Sequence, residues 1–232
     1  MTKTRANDFT PKWMLILVLS PIFFSLLYYF VGKALNYSNM SYFHYLQLTS
    51  LIAAVVAGGY QIYFWTQRNS NFFKTRQLKL KIDDWFPFWP SWIWIYSFLY
   101  YILIGGFIIA IPNIERGVYI IFGGLLLLVF QALLFILFPA VCPTEWRDYK
   151  VDTISKKYLK FVQGFDDVNN CFPSMHCSLA TYISLTLFPL MGWYCLVFAG
   201  LIGISTLFTK QHTILDVFPG MALGALVYWI IA

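Results

Sequence analysis

Long apolar runs, broken by short polar or basic connectors, follow one another along nearly the whole chain. The first extends from Trp13 to Val31 and the second from Phe43 to Trp65, the latter softened by Gln47, Thr49, Gly58 and Gly59. A third covers about Trp92 to Ile111 and a fourth about Val118 to Val141, with only Pro112 to Gly117 between them. Ser174 to Leu190 and Trp193 to Thr209 are apolar but of marginal spanning length, hinged at Pro189 to Gly192, and a final run reaches Ala232. Because a helix needs about 20 apolar residues to cross a bilayer, the pattern predicts an all-α polytopic transmembrane bundle of six to seven spans, folded as a single integral membrane domain over residues 1–232. Met1 to Lys12 has the basic flank of a signal peptide. The length of the following run, Pro21 inside it and the lack of a small-x-small site around Gly32 to Asn36 predict an uncleaved first span instead.

The polar intervals carry the remaining information. Gln67 to Asp84 holds Arg68, Lys74, Arg76, Lys79 and Lys81, a basic segment suited to lipid headgroups. Asp83-Asp84-Trp85-Phe86-Pro87-Phe88-Trp89-Pro90 reads as a rigid interfacial turn leading into the third span. The Gly105-Gly106 and Gly123-Gly124 pairs predict close helix approach. His44 stands without an acidic neighbour and reads as interfacial. Cys142 to Phe172 is the longest polar stretch, without apolar periodicity strong enough for a domain; loops of that length tend to be functional.

Composition agrees with the pattern: 59% of residues are hydrophobic and 11% charged, against roughly 25% charged in soluble domains. The net charge of +6 sits in connectors beside apolar runs, which argues for membrane topology and against nucleic acid. Aromatic residues make up 21%, and Trp13, Trp65, Trp85, Trp89, Trp92 and Trp193 lie near run ends, where amphipathic rings settle.

The chemistry gathers in the last third. Cys171-Phe172-Pro173-Ser174-Met175-His176 is answered, two apolar runs later, by His212-Thr213-Ile214-Leu215-Asp216. If the run around Asp216 is helical, a spacing of four turns His212 and Asp216 to within about 40° of each other, so a carboxylate can orient an imidazole. If the two marginal runs form a helical hairpin, His176 and His212 share one membrane surface with Arg147 and Lys210. Pro173-Ser174 reads as a helix start with Ser174 as cap and the N–H groups of Met175 and His176 free to meet an anion. Phosphoryl transfer needs a neutral imidazole nucleophile, an orienting carboxylate, a proton donor for the leaving alkoxide and donors for the phosphate oxygens. His212, Asp216 and His176 fill the first three roles, and Arg147, Lys210, Ser174 and Met175 the last. The scheme needs no cofactor, and two histidines with cysteines scattered along the chain give poor support for a zinc site. A structural His-Asp hydrogen bond and a plain helix start would produce the same two motifs taken singly.

Phe172-Pro173-Ser174-Met175-His176, together with Ser205-Thr206 and the His212-x-x-x-Asp216 spacing that follows, resembles the second and third motifs of the type 2 phosphatidic acid phosphatase superfamily. The similarity extends over roughly Asp83 to the C-terminus, which divides the chain into N-terminal spans and basic loop (1–82) and a phosphatase-like core (83–232). It implies His212 as nucleophile, Asp216 as its partner, His176 as acid, and Ser205 and Thr206 beside the phosphate. Two departures stand out. The first family motif, a lysine, six residues and Arg-Pro, is reduced to Arg147-Asp148 with Ala140 at the lysine position. Thr206 replaces the arginine of the third motif, and Lys210 is the candidate substitute. Fewer cations resemble the inositol phosphorylceramide and sphingomyelin synthase branch, so the partners expected are a membrane lipid phosphate and, in the alternative, an alcohol or ceramide acceptor. A transporter or scaffold is the reading without catalysis.

Seven spans with the basic N-terminus and the Arg68 to Lys81 segment inside would put the active surface in the cytoplasm. The resemblance implies the opposite face of a cell (inner) membrane or endomembrane, and extracytoplasmic is the expectation carried forward. Cys142 and Cys171 bracket the catalytic loop; they can close as a disulfide in an oxidising compartment or remain two interfacial thiols.

Overall fold

The computed structural model describes residues 11–36, 38–69, 73–165 and 169–232. Lys3 and Arg5, and the side chains of Lys12 and Trp13, lie outside the described residues. Helices α1 (Pro11–Ala34), α2 (Tyr42–Asn69), α4 (Ile114–Leu137), α8 (Cys195–Phe208) and α9 (Ile214–Ile231) make up most of the bundle. Between them come α3 (Tyr100–Gly106), α5 (Ile154–Gln163), α6 (Met175–Thr186) and the single turn α7 (Phe188–Met191). The protein is thus an all-α membrane bundle. Among the described residues, five helical segments are long and apolar enough to cross a bilayer: α2, Pro90–Ala110 around α3, α4, Phe188–Phe208 through α8, and α9. Of the other expected spans, α1 contributes a shorter apolar stretch, Val18–Ala34, and α6 has 12 residues.

Pro21 lies inside α1 without ending it. Its carbonyl accepts a hydrogen bond from the Thr49 hydroxyl of α2 at 3.1 Å, which ties the two helices together. His44 lies in the first turn of α2, where its Nδ1 accepts the Ser41 N–H and its own N–H donates to the Ser41 hydroxyl, so this histidine is part of a cap. Of the glycine pairs, one member each serves close packing: Gly105 faces the Tyr28 hydroxyl and Gly123 faces Tyr182, whereas Gly106 and Gly124 look into open space. The tightest contact is α6 on α9, made possible by Gly220 and Gly224. A methyl on either would collide with backbone, Ser174 O for the first and Ser178 O for the second. That Gly-x-x-x-Gly spacing is a packing signal for membrane helices, and it brings the helix after His212 against the helix that begins at Met175.

Two features depart from the expected loops. The basic segment supplies strand β1 (Arg76–Gln77), which pairs in parallel with β2 (Ala140–Val141). The loop Cys142 to Phe172 contains α5, capped by Thr153, whose side chain accepts the Lys156 N–H; Leu159 is buried on its inner face. With Val141 bridged to Asn169 and Asn170 bonded to Thr66 of α2 at 2.8 Å, these pieces form a lid of short elements over one end of the bundle. Apolar side chains such as Phe23, Ile102, Phe122 and Trp229 project outward along its sides, as lipid contact requires.

Candidate functional site

The paired motifs meet at that end of the bundle. α6 starts at Met175, Ser174 capping it by accepting the Cys177 N–H at 3.3 Å, so the predicted helix start is found and His176 lies in its first turn. The rings of His176 and His212 are 6.2 Å apart between centroids. His176 lies between Tyr96 (4.3 Å) and Tyr100 (4.6 Å), and its Nδ1 is 3.1 Å from the Tyr96 hydroxyl. A π-turn at Ile95–Leu99 precedes Tyr100 and sets both rings on the histidine. π-turns inside helices frequently accompany function. The two tyrosines escaped the sequence reading because nothing in an aromatic-rich span separates them from ordinary lining.

His212 is held differently from the expected helical pair. α9 begins only at Ile214, so His212 lies in the turn before the helix, and the spacing of four is not a helical face. Asp216 instead caps its own helix, its Oδ2 accepting the Thr213 N–H at 2.8 Å. That oxygen remains 3.7 Å from His212 Nδ1, beyond hydrogen-bond length. The group at bonding distance from Nδ1 is the carbonyl of Cys171, at 3.1 Å. A carbonyl only accepts, so Nδ1 carries a proton, and in the neutral ring Nε2 is the nitrogen left with the lone pair. Asp216 is fully buried, and its Oδ1 has no hydrogen-bond partner. Buried polar atoms in that condition are rare and tend to mark chemistry or a ligand.

The turn that carries His212 is built around a lysine. α8 closes with Gln211 N–H on Thr206 O (2.9 Å) and Lys210 N–H on Leu207 O (3.2 Å), the bonding of a Schellman cap. The left-handed position of such a cap usually holds glycine; here Lys210 takes it, with φ of 56°. A non-glycine residue there costs about 1–2 kcal/mol. Lys210 is nearly buried, its ammonium 2.7 Å from the Asp83 carbonyl and 4.7 Å over the Trp146 ring. Burial lowers its pKa, and Asp83 and Asp84 oppose that shift. Asp83, which the sequence showed only as part of a turn, is buried. It accepts Ile214 N–H on Oδ1 (2.8 Å) and Leu80 N–H on Oδ2 (2.7 Å).

The other expected phosphate ligands are placed as follows. Arg147 donates to Gln163 O at the end of α5 (3.3 Å), and its own carbonyl accepts from Lys160 (2.9 Å). Ser174 is fully buried, its N–H on Asp216 O at 2.9 Å. The Ser205 and Thr206 hydroxyls, also buried, bond back to Ile202 O and Gly203 O within α8. Met175 turns its side chain to an apolar cavity. The cysteines, scattered along the sequence, converge: Cys142 and Cys171 form a disulfide with Cα atoms 6.0 Å apart. Together with His212 and Asp216 they put four buried donor atoms within 4.8 Å of one another.

Fold and site define a membrane-embedded helical protein whose two histidines face each other at one end of the bundle. The model of the PAP2 superfamily matches residues 114–232, just over half of the chain, and the chain belongs to that superfamily. The match begins after Asp83, short of the full reach that the motif resemblance implied. Membership assigns the protein phosphatase-type phosphoester chemistry, and with the apolar helices it makes it an integral membrane enzyme acting on phosphoesters. No curated protein and no solved structure matches the chain.

Proposed function

We propose that this protein dephosphorylates a membrane lipid phosphate or diphosphate through a phosphohistidine. His212 attacks phosphorus through Nε2 while the bond to the lipid oxygen breaks, and His176 gives that oxygen its proton. Water, deprotonated by His176, then attacks the phosphohistidine, the P–N bond breaks and phosphate leaves. Asp216 sets the field behind His212. Arg147, Lys210 and the N–H groups of Met175 and His176 at the helix start that Ser174 caps would hold the anion, with Ser205 and Thr206 shaping the turn behind it. The observation that carries this reading is the pair of imidazoles 6.2 Å apart with the proton of His212 committed to Nδ1 by the Cys171 carbonyl. The scheme requires neither cofactor nor metal.

A lipid substrate is supported by a cavity of about 140 Å³ lined by Tyr60, Tyr100, Tyr101, Leu127, Met175 and Tyr182 among others. It reaches Met175, which precedes His176, and Tyr100, which packs on it; Tyr60 and Tyr101, whose hydroxyls are 3.3 Å apart, also line it. Its apolar walls suit hydrocarbon. Head-group transfer to an alcohol or ceramide is the second reading, favoured by the substitution of Thr206 for a phosphate-holding arginine. The closed disulfide supports an active face in an oxidising, extracytoplasmic compartment.

The test is purified protein in detergent with a panel of lipid phosphates and diphosphates, with and without acceptors, following phosphate and new lipid together. We expect phosphate release without acceptor, surviving a chelator, and reduced about 10³-fold or more in His212→Ala and His176→Ala. New phosphodiester lipid formed only with an acceptor would select transfer. A transporter or scaffold would show no release that depends on either histidine.

A further inference from the structure

His212 shares its surroundings with three other metal-ligating side chains, two of which, the cysteines, phosphoryl transfer does not use. Cys142 Sγ, Cys171 Sγ, a ring nitrogen of His212 and a carboxylate oxygen of Asp216 lie within 4.8 Å of one another, all buried. Asp216 Oδ2 is the oxygen beside His212 and Cys142, and Oδ1 of the same carboxylate is buried without a hydrogen-bond partner. Two sulfurs, an imidazole and a carboxylate are the donor set of a four-coordinate zinc-class cation. With the disulfide closed, the sulfurs cannot serve as thiolates. Opening it does not disperse them: Cys142 directly follows β2, and Cys171 is tied to that strand by its N–H on Ala140 O at 3.1 Å and by the Val141–Asn169 bridge.

We propose that reduction of Cys142–Cys171 converts this cluster into a zinc-class cation site that captures His212. A dithiol reductant supplies two electrons and two protons. The S–S bond breaks, two thiols form, and the reductant's own sulfurs couple. The cation then displaces both thiol protons and takes up the two thiolates, the His212 ring and Asp216. Nδ1 is the ring nitrogen beside Asp216, 3.7 Å from Oδ2. Binding there moves the ring proton to Nε2, the atom that attacks phosphorus in the proposed function. The oxidation state of the pair thus decides whether His212 is nucleophile or ligand. The site itself stands on geometry; only its effect on activity rests on the phosphohistidine reading.

The experiment uses full-length protein in detergent, air-oxidised or reduced with a dithiol that is then removed without oxygen, titrated with Co²⁺ alone. The reduced protein is expected to bind one Co²⁺ per chain, with tetrahedral visible bands and a thiolate-to-metal charge-transfer band. The oxidised protein and the Cys142→Ser variant are expected to lack that band, while His212→Ala keeps it with weaker binding. Zn²⁺ should abolish phosphate release by the reduced protein only, and a chelator restore it. Equal Co²⁺ binding by oxidised and reduced protein, or reduced protein without the charge-transfer band, overturns the proposal. A charge-transfer band in a protein that releases no phosphate in either state would sink the phosphatase reading and leave the metal site standing.

Discussion

Asp83 links segments 131 residues apart in the chain, because one carboxylate oxygen receives Ile214 N–H, the other Leu80 N–H, and its carbonyl receives Lys210. Two of the three bonds, to Lys210 and to Ile214, hold the two ends of the turn that presents His212, and that turn carries the strained left-handed backbone of Lys210. Asp83→Ala leaves two partly buried donors without their carboxylate partner, a loss of about 2 kcal/mol. The expected result is a lower unfolding temperature in detergent and a fall in kcat with KM little changed, with Asp83→Asn recovering part of both. A fall in stability with unchanged kcat would confine Asp83 to holding the lid. Sequence could not single it out, since a short Asp-Asp pair beside tryptophan is also an ordinary interfacial turn, and the partners that give Asp83 its role lie far downstream. The histidines were legible because ionisable groups at membrane depth are few. The Cys142–Cys171 pairing was legible only as one of two alternatives, since a separation of 29 residues says nothing about the strand contacts that bring the two together.

At the level of elements, apolar periodicity located the long helices, because membrane burial imposes length and composition more strongly than local propensity does. Short elements of the lid were missed for the opposite reason. β1 and β2 are two residues each and exist through pairing across the chain, and α5 is a ten-residue amphipathic helix within a loop whose overall character is polar. Glycine pairs were half legible: the sequence marks both members, but only the packing partner tells which one is needed. Gly124 is the informative exception, because it lines the apolar cavity and an added Cβ would meet nothing within 4 Å. Gly124→Leu is expected to fold normally and to fill space that the proposed lipid chain would occupy. KM for long-chain lipid phosphates should rise several-fold while turnover of a short, water-soluble phosphomonoester is unchanged. Equal effects on both substrates would remove the cavity from the lipid path.

For the whole molecule, the direction of each helix fixes which parts face the same side. α2 ends, α4 ends, α6 begins, α8 ends and α9 begins at the end of the bundle that holds the histidines, as the bonds Asn170 to Thr66, Cys171 to Ala140, Ser174 to Asp216 and Trp89 to Phe208 require. The turn before α4, with Asn113 capping Arg116 N–H, lies at the opposite end. Counting basic residues would put Arg68 to Lys81, and the active end with them, in the cytoplasm. The closed disulfide points the other way, since cytosolic thiols are kept reduced. The two arguments differ in kind. Charge bias acts on topology during insertion, and in this protein part of the basic segment is committed to structure, Lys79 pairing with Asp84 at 2.8 Å and Arg76 pairing within the β1–β2 ladder. A disulfide bears instead on the finished protein, since it persists only in an oxidising compartment. Trp85 is 79% exposed at the active end, and Glu115 is exposed at the other. Cys177 and Cys195 are buried, which keeps the native thiol background low. In intact cells, Trp85→Cys should therefore react with a membrane-impermeant maleimide and Glu115→Cys only after permeabilisation. The reverse pattern would put the active end in the cytoplasm, where the reducing environment would keep Cys142 and Cys171 as thiols and the cation-binding form of the site would be the resident one.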